Sequence, residues 1–252
     1  MGLIAAVYGV ICYVIFLGSF LYAIGFVGDV FVPKTIDSGL TGPSVEALII
    51  DLLLLGAFAI QHSVMARPAF KAVWTKIVPR SVERSTYVLF SSLLLILICW
   101  QWRPFHSTIW DVSSSRVFGG LLTALFWLGW VILLLATFMI SHFDLFGLRQ
   151  VYLRLRGLDY SPPHFVQRAL YKIVRHPIML GFLIAFWSTP RMTLGHLIFS
   201  VMTTGYILVG IALEERDMVA ALGEQYRAYR ARVPMLIPSI FRRQRTGKVI
   251  AR

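Results

Sequence analysis

Cysteine is nearly absent from this chain: Cys12 and Cys99 are the pair, and each sits inside an apolar run. They read as small packing residues, so no disulfide and no thiolate metal site is expected. Six histidines are present, but none are paired at the spacing of an H-E-x-x-H helix, and no metal is expected on them either. No G-x-G-x-x-G and no P-loop occurs, which excludes a soluble Rossmann-type cofactor domain. Charge is scarce as well. Only 14% of the residues are charged, where a soluble domain carries about a quarter. The N-terminus lacks the basic region and small-residue cleavage site of a signal peptide, so the first apolar run reads as a retained span.

What fills the chain instead is apolar: 58% of its 252 residues are hydrophobic. A helix needs about 20 apolar residues to cross the hydrocarbon core. Runs at 3–28, 45–66, 84–102 and 116–140 meet that length. A shorter run at 177–189 and another at 193–213 read as a helical hairpin, with a tight turn at Thr189-Pro190-Arg191-Met192. The expected fold is an all-α integral membrane protein, a single membrane domain over 1–252. It has five to six membrane helices, including that C-terminal hairpin, and a cytoplasmic amphipathic C-terminal helix.

Basic residues outnumber acidic ones by 24 to 12. Twenty of the 24 fall after the second, fourth and sixth runs, while Lys34, Arg103, Arg116 and Arg191 are left for the other side. The pattern predicts both termini in the cytoplasm, by the positive-inside bias, and not nucleic-acid binding. The setting is a membrane, with the lipid bilayer as partner. Residues 241–252 form a basic tail.

That orientation brings four polar clusters to one membrane face. They are Gln61-His62-Ser63, Ser141-His142-Phe143-Asp144, Arg175-His176-Pro177 and Glu214-Glu215-Arg216-Asp217. Pro177 suits the first turn of a helix, which leaves His176 beside free backbone N–H groups able to attract an anion. Gly181, one turn on, allows close approach of a helix or a ligand. Glu215, Met218, Val219, Leu222, Tyr226, Tyr229 and Val233 recur at spacings of three and four and share a face. A carboxylate on such a face needs a partner: Arg175, Arg230 or a cationic ligand. Tyr226 and Tyr229 read either as interfacial anchors or as aromatic walls for a sulfonium. Asp51, inside the second run, is structural or faces a substrate. His106, Arg191 and His196 belong to the far side.

The ordered set Arg175-His176-Pro177-Ile178-Met179-Leu180-Gly181, Glu214-Glu215, Tyr226-x-x-Tyr229 and Val233-Pro234…Pro238 resembles the isoprenylcysteine carboxyl methyltransferase superfamily, over about 165–240. Gln61-His62-Ser63-Val64-Met65-Ala66-Arg67 and Ser141-His142-Phe143-Asp144-Leu145-Phe146-Gly147-Leu148-Arg149-Gln150 look like its NnrU-like branch. With them, the whole chain looks most like the bacterial methanethiol S-methyltransferases. Met179 stands where the isoprenylcysteine enzymes commonly have an aromatic residue, which favours a small apolar thiol over a prenylated substrate.

The resemblance implies an enzyme that transfers a methyl group from S-adenosylmethionine to methanethiol, giving dimethyl sulfide at the cytoplasmic membrane face. It implies cofactor binding by Arg175, His176, Pro177, Leu180, Gly181, Glu214, Glu215, Tyr226, Tyr229 and Arg230. The acceptor must react as its thiolate. His142, oriented by Asp144, or His62 would take the proton, and Arg149 or Arg175 would steady the anion. Left open are a related methyltransferase acting on a larger thiol, lipid or amine, a nicotinamide-dependent membrane reductase, and a non-catalytic NnrU-like accessory protein.

Overall fold

The computed structural model describes residues 2–40, 44–162, 165 and 167–238; the basic tail expected at 241–252 lies outside them. Among the described residues, five helices are long and apolar enough to cross a membrane. They are α1 (Gly2–Gly28), α2 (Ser44–Ala66), α4 (Arg80–Gln101), α5 (Arg116–Ile140) and α10 (Leu194–Leu222). Between them lie the short helices α3 (Pro68–Trp74), α6 (His142–Leu145), α7 (Leu148–Leu155), α8 (Leu170–Ile173) and α9 (Pro177–Trp187). The chain is an all-α integral membrane protein, closed at one end by α11 (Glu224–Arg232).

Local chemistry sets the helix ends. Ser115 accepts from Phe118 N at 3.3 Å to start α5, and Thr193 accepts from His196 N at 3.1 Å to start α10. Pro68 and Pro177 occupy first turns, where a missing N–H costs nothing. Gly223 separates α10 from α11 with φ 56° and ψ −126°, a conformation that excludes most side chains.

The expected C-terminal hairpin is built differently. The α9 helix has 11 residues, about 16 Å, against the roughly 30 Å of a hydrocarbon core. It packs along α5 rather than along α10. The reason is two glycines: a Cβ on Gly181 would sit 2.6 Å from the Gly129 carbonyl oxygen, and one on Gly129 would sit 2.6 Å from that of Gly181. Gly181 therefore serves helix approach.

After α9 the chain does not turn tightly but runs extended. Arg191–Thr193 (β2) pairs antiparallel with Thr108–Asp111 (β1), with Trp110 opposite Met192. Single-run hydropathy carries no signal for a strand pair between two distant loops.

The same end holds the far-side polar residues. Asp51, fully buried, accepts from Arg103 N at 2.9 Å and so caps the end of α4. His196 Nε2 and Ser200 Oγ both donate to the Phe186 carbonyl, at 2.9 and 2.7 Å. These residues are structural. The apolar core between the two ends runs from Phe26 and Trp102 through Phe126, Trp130 and Phe186 to Ile207 and Ile211.

Candidate functional site

At the opposite end from the strands, three segments of the chain meet on one carboxylate. Glu215, 6% exposed, projects from α10. Its Oε1 accepts from Arg175 Nε at 2.6 Å and lies 3.1 Å from His176 Nε2. Its Oε2 lies 3.1 Å from Arg230 Nε on α11. His176 Nδ1 faces Glu214 Oε2 at 3.7 Å. A buried carboxylate is tolerable only when its lone pairs are filled, and here three side chains fill them.

Arg175 also ties down the chain beyond α11. Its guanidinium donates to the carbonyls of Arg230 and Val233, at 3.2 and 2.5 Å, and its backbone N–H to that of Pro234 at 2.9 Å. The His176 N–H donates to Met235 O at 3.2 Å. Residues 233–235 are thus laced to 175–176, and Met235 is brought over α10.

Beneath this lacing is a cavity of about 390 Å³, within the size range of small-molecule sites. Glu215, Arg216 and Arg230 supply its polar end; Leu208, Ile211, Ala212, Val219 and Met235 supply its apolar wall. Charge of both signs at one end and hydrocarbon at the other suits a zwitterionic cofactor beside an apolar acceptor.

Tyr226 and Tyr229 are 3% and 2% exposed and pack with Phe165, Met218, Val219 and Leu222. The shared face read from the sequence therefore forms, although Gly223 interrupts the helix. Neither ring lines the cavity. Tyr229 donates to Tyr171 O at 2.7 Å, and burial pushes its phenol up to about 12 against the pull of Arg175. It remains a donor at any physiological pH and locks α11 in place. Leu180 packs, partly buried, against the apolar core, and Pro177 is buried at the start of α9.

Arg175, expected to steady the thiolate, lies at this site, but the other residues expected to handle the thiol lie elsewhere. His142 is buried where α5 gives way to α6. Its Nδ1 is 2.9 Å from Thr137 Oγ1, and its Nε2 is 2.9 Å from Tyr13 OH. Thr137 gives its only hydroxyl proton to Leu134 O at 2.7 Å, so it accepts from Nδ1–H, and Nε2 accepts from Tyr13. Phe138 stacks on the ring at 4.3 Å. Burial lowers the His142 pKa, which holds the imidazole neutral.

Asp144 does not orient His142. It accepts from Arg149 and from Tyr160 OH, both at 3.1 Å. Residues two apart in a short helix point in different directions, so adjacency in sequence did not become contact. His62 lies against Ser91 Oγ at 3.2 Å and stacks on Phe58.

None of His62, His142, Asp144 and Arg149 lines the cavity beside Glu215. Its lining includes Leu208, Ile211, Ala212, Arg216 and Met235, which sequence reasoning missed. The adjacency of Arg216 to Glu215 and the Pro234…Pro238 bracket around Met235 were the available signals. Nothing in the sequence pointed to Tyr13 or Thr137.

No family model matches the chain, and no solved structure matches it. Individual proteins do. Methanethiol S-methyltransferase of Mycobacterium tuberculosis is 57% identical, over 92% of this chain and 95% of its own length. Methanethiol S-methyltransferase 2 of Bradyrhizobium diazoefficiens is 54% identical, over 95% and 92%. More distantly, Nurim of Danio rerio is 29% identical over 68% of this chain and 65% of its own. The first two relatives cover more than nine-tenths of this chain with more than half the aligned residues unchanged, and the chain belongs to the methanethiol S-methyltransferase family.

Proposed function

We propose that this enzyme methylates methanethiol with S-adenosylmethionine, releasing dimethyl sulfide and S-adenosylhomocysteine, at the cytoplasmic membrane face. The observation that carries the reading is the cavity beside Glu215, polar at one end and apolar along α10. S-adenosylmethionine supplies a sulfonium methyl open to attack by sulfur. Glu214, half-exposed, and Arg230 offer opposite charges for the cofactor's ammonium and carboxylate. Glu215 sets their positions, since its own oxygens are already filled by Arg175, His176 and Arg230.

The apolar wall of Leu208, Ile211 and Ala212 accepts a small thiol that partitions into the bilayer. A bulkier acceptor finds less support in a cavity of about 390 Å³ that must also hold the cofactor. Alignment of donor and acceptor sulfur in the pocket contributes several kcal/mol to the rate enhancement. Cofactor access from the side bearing most of the basic residues supports the cytoplasmic assignment.

The test is headspace gas chromatography on purified protein given methanethiol and S-adenosylmethionine. Dimethyl sulfide that depends on the cofactor and disappears in Glu215→Gln is the expected result. Cofactor binding without dimethyl sulfide would reject the acceptor; failure of both would reject the reading.

A further inference from the structure

A second cavity, of about 260 Å³, opens at the same polar end of the bundle between α3, the start of α4 and the α5–α7 connection. It is smaller than the roughly 300 Å³ at which pockets for drug-sized ligands begin, and it shares no residue with the cavity beside Glu215. Lys71, Arg80 and Arg84 line it, with Glu83 and Gln150.

Two features of this cavity point to a ligand. Glu83 and Gln150 are 9% and 8% exposed, and each keeps one fully buried oxygen with no hydrogen-bond donor. Gln150 cannot repair this by flipping its amide, because its Nε2 already donates to Asp144 O at 3.1 Å. Among the described residues, Lys71, Arg80, Arg84 and Glu83 also form no ion pair, although all four face one cavity. Burial and the nearby Arg84 lower the Lys71 ammonium. Arg84 Nε donates to Leu145 O at 2.7 Å and its guanidinium lies over the Tyr87 ring, but no carboxylate neutralises it. Three cations held apart from one carboxylate leave a gap that fits an anion, and the two orphan oxygens call for donors beside it.

We propose that this cavity binds the headgroup of an anionic phospholipid whose phosphate is esterified to a polyol. The phosphate sits among Lys71, Arg80 and Arg84, and the headgroup hydroxyls donate to Glu83 and Gln150. Hydroxyls fit better than an ammonium, since Asp144 is already balanced by Arg149 and the uncompensated charge is positive. A lipid fits better than a soluble phosphate ester for a positional reason. Ile140, the last residue of the spanning helix α5, and Leu145 form the apolar side of the cavity, so it opens where a membrane span ends.

Native mass spectrometry of the full chain in detergent tests this, with phosphatidylglycerol, phosphatidylethanolamine and phosphatidylcholine offered in equal amounts. Preferential retention of phosphatidylglycerol is expected. Lys71→Ala and Arg80→Gln should each weaken it about fivefold. Glu83→Gln should narrow the preference for phosphatidylglycerol over phosphatidic acid, which has no headgroup hydroxyl. Equal retention of all three lipids, or unchanged retention by a Lys71→Ala/Arg80→Gln double variant that stays monodisperse, would overturn the proposal. Displacement of the lipid by millimolar glycerol 3-phosphate would overturn the lipid assignment in favour of a soluble ester. The lipid panel on the unaltered protein decides the matter even where a variant misfolds.

Discussion

Glu215 is the residue on which the candidate site depends. Removing its charge strands Arg175, whose side chain is only 10% exposed, and frees Arg230. Breaking one partner of a buried pair costs about 3–5 kcal/mol. Glu215→Gln should therefore lower the melting temperature by roughly 6–20 °C for a chain of this size, and cofactor binding should fall at least tenfold by calorimetry. Retained affinity would detach the ion-pair cluster from the cofactor.

His142 makes a different prediction, about pH. Its folded pKa is lowered by burial, so below about 6.5 the unfolded chain binds more protons than the native one. The stability it contributes is complete above that pH and is lost as pH falls towards the depressed folded value. Scanning fluorimetry from pH 8 to 5 should show this loss, and His142→Gln should flatten it. Because both ring nitrogens are engaged and the ring lies off the cavity, the same variant should keep most of its turnover. A turnover loss of a hundredfold or more with intact cofactor affinity would restore His142 as the base.

At the scale of elements, α9 determines where the site sits. Gly181 on α9 meets Gly129, eleven residues before the α5 end at Ile140, so the start of α9, with His176, is set back from that end. Gly129 and Gly181 set that height, because backbone oxygen cannot yield to a Cβ at 2.6 Å. Gly181→Val should cost about 1–3 kcal/mol by overpacking and weaken cofactor binding, although the residue lines no cavity. Gly205, with open space around it, is the control: Gly205→Ala should be neutral or stabilise by up to about 1 kcal/mol. Equal effects of the two in thermal unfolding would discount the helix contact.

For the whole molecule, the testable quantity is orientation. If both termini are cytoplasmic, a cysteine placed at Lys76 will resist an impermeant maleimide in intact cells, and one at Ser113 will react. The reverse labelling would turn the polar end outward and remove the cytosolic route for the cofactor. The ion pair Arg67–Asp217, 2.8 Å, joins α2 to α10 at that end. Partly exposed as it is, its loss should cost no more than about 1 kcal/mol.

Much of this protein follows from local composition. Hydrocarbon thickness alone turns long apolar runs into spanning helices, so α1, α2, α4, α5 and α10 were legible one at a time. The Arg175-His176-Pro177 and Glu214-Glu215 segments were legible as partners because buried charge demands neutralisation. Packing decided the rest. Whether Gly181 meets a ligand or a helix, whether Asp144 meets His142 or Arg149, and which α10 residues face a cavity depend on how helices distant in sequence lie against each other. Those contacts leave no period or spacing in the chain, since each side chain's partner comes from a different span.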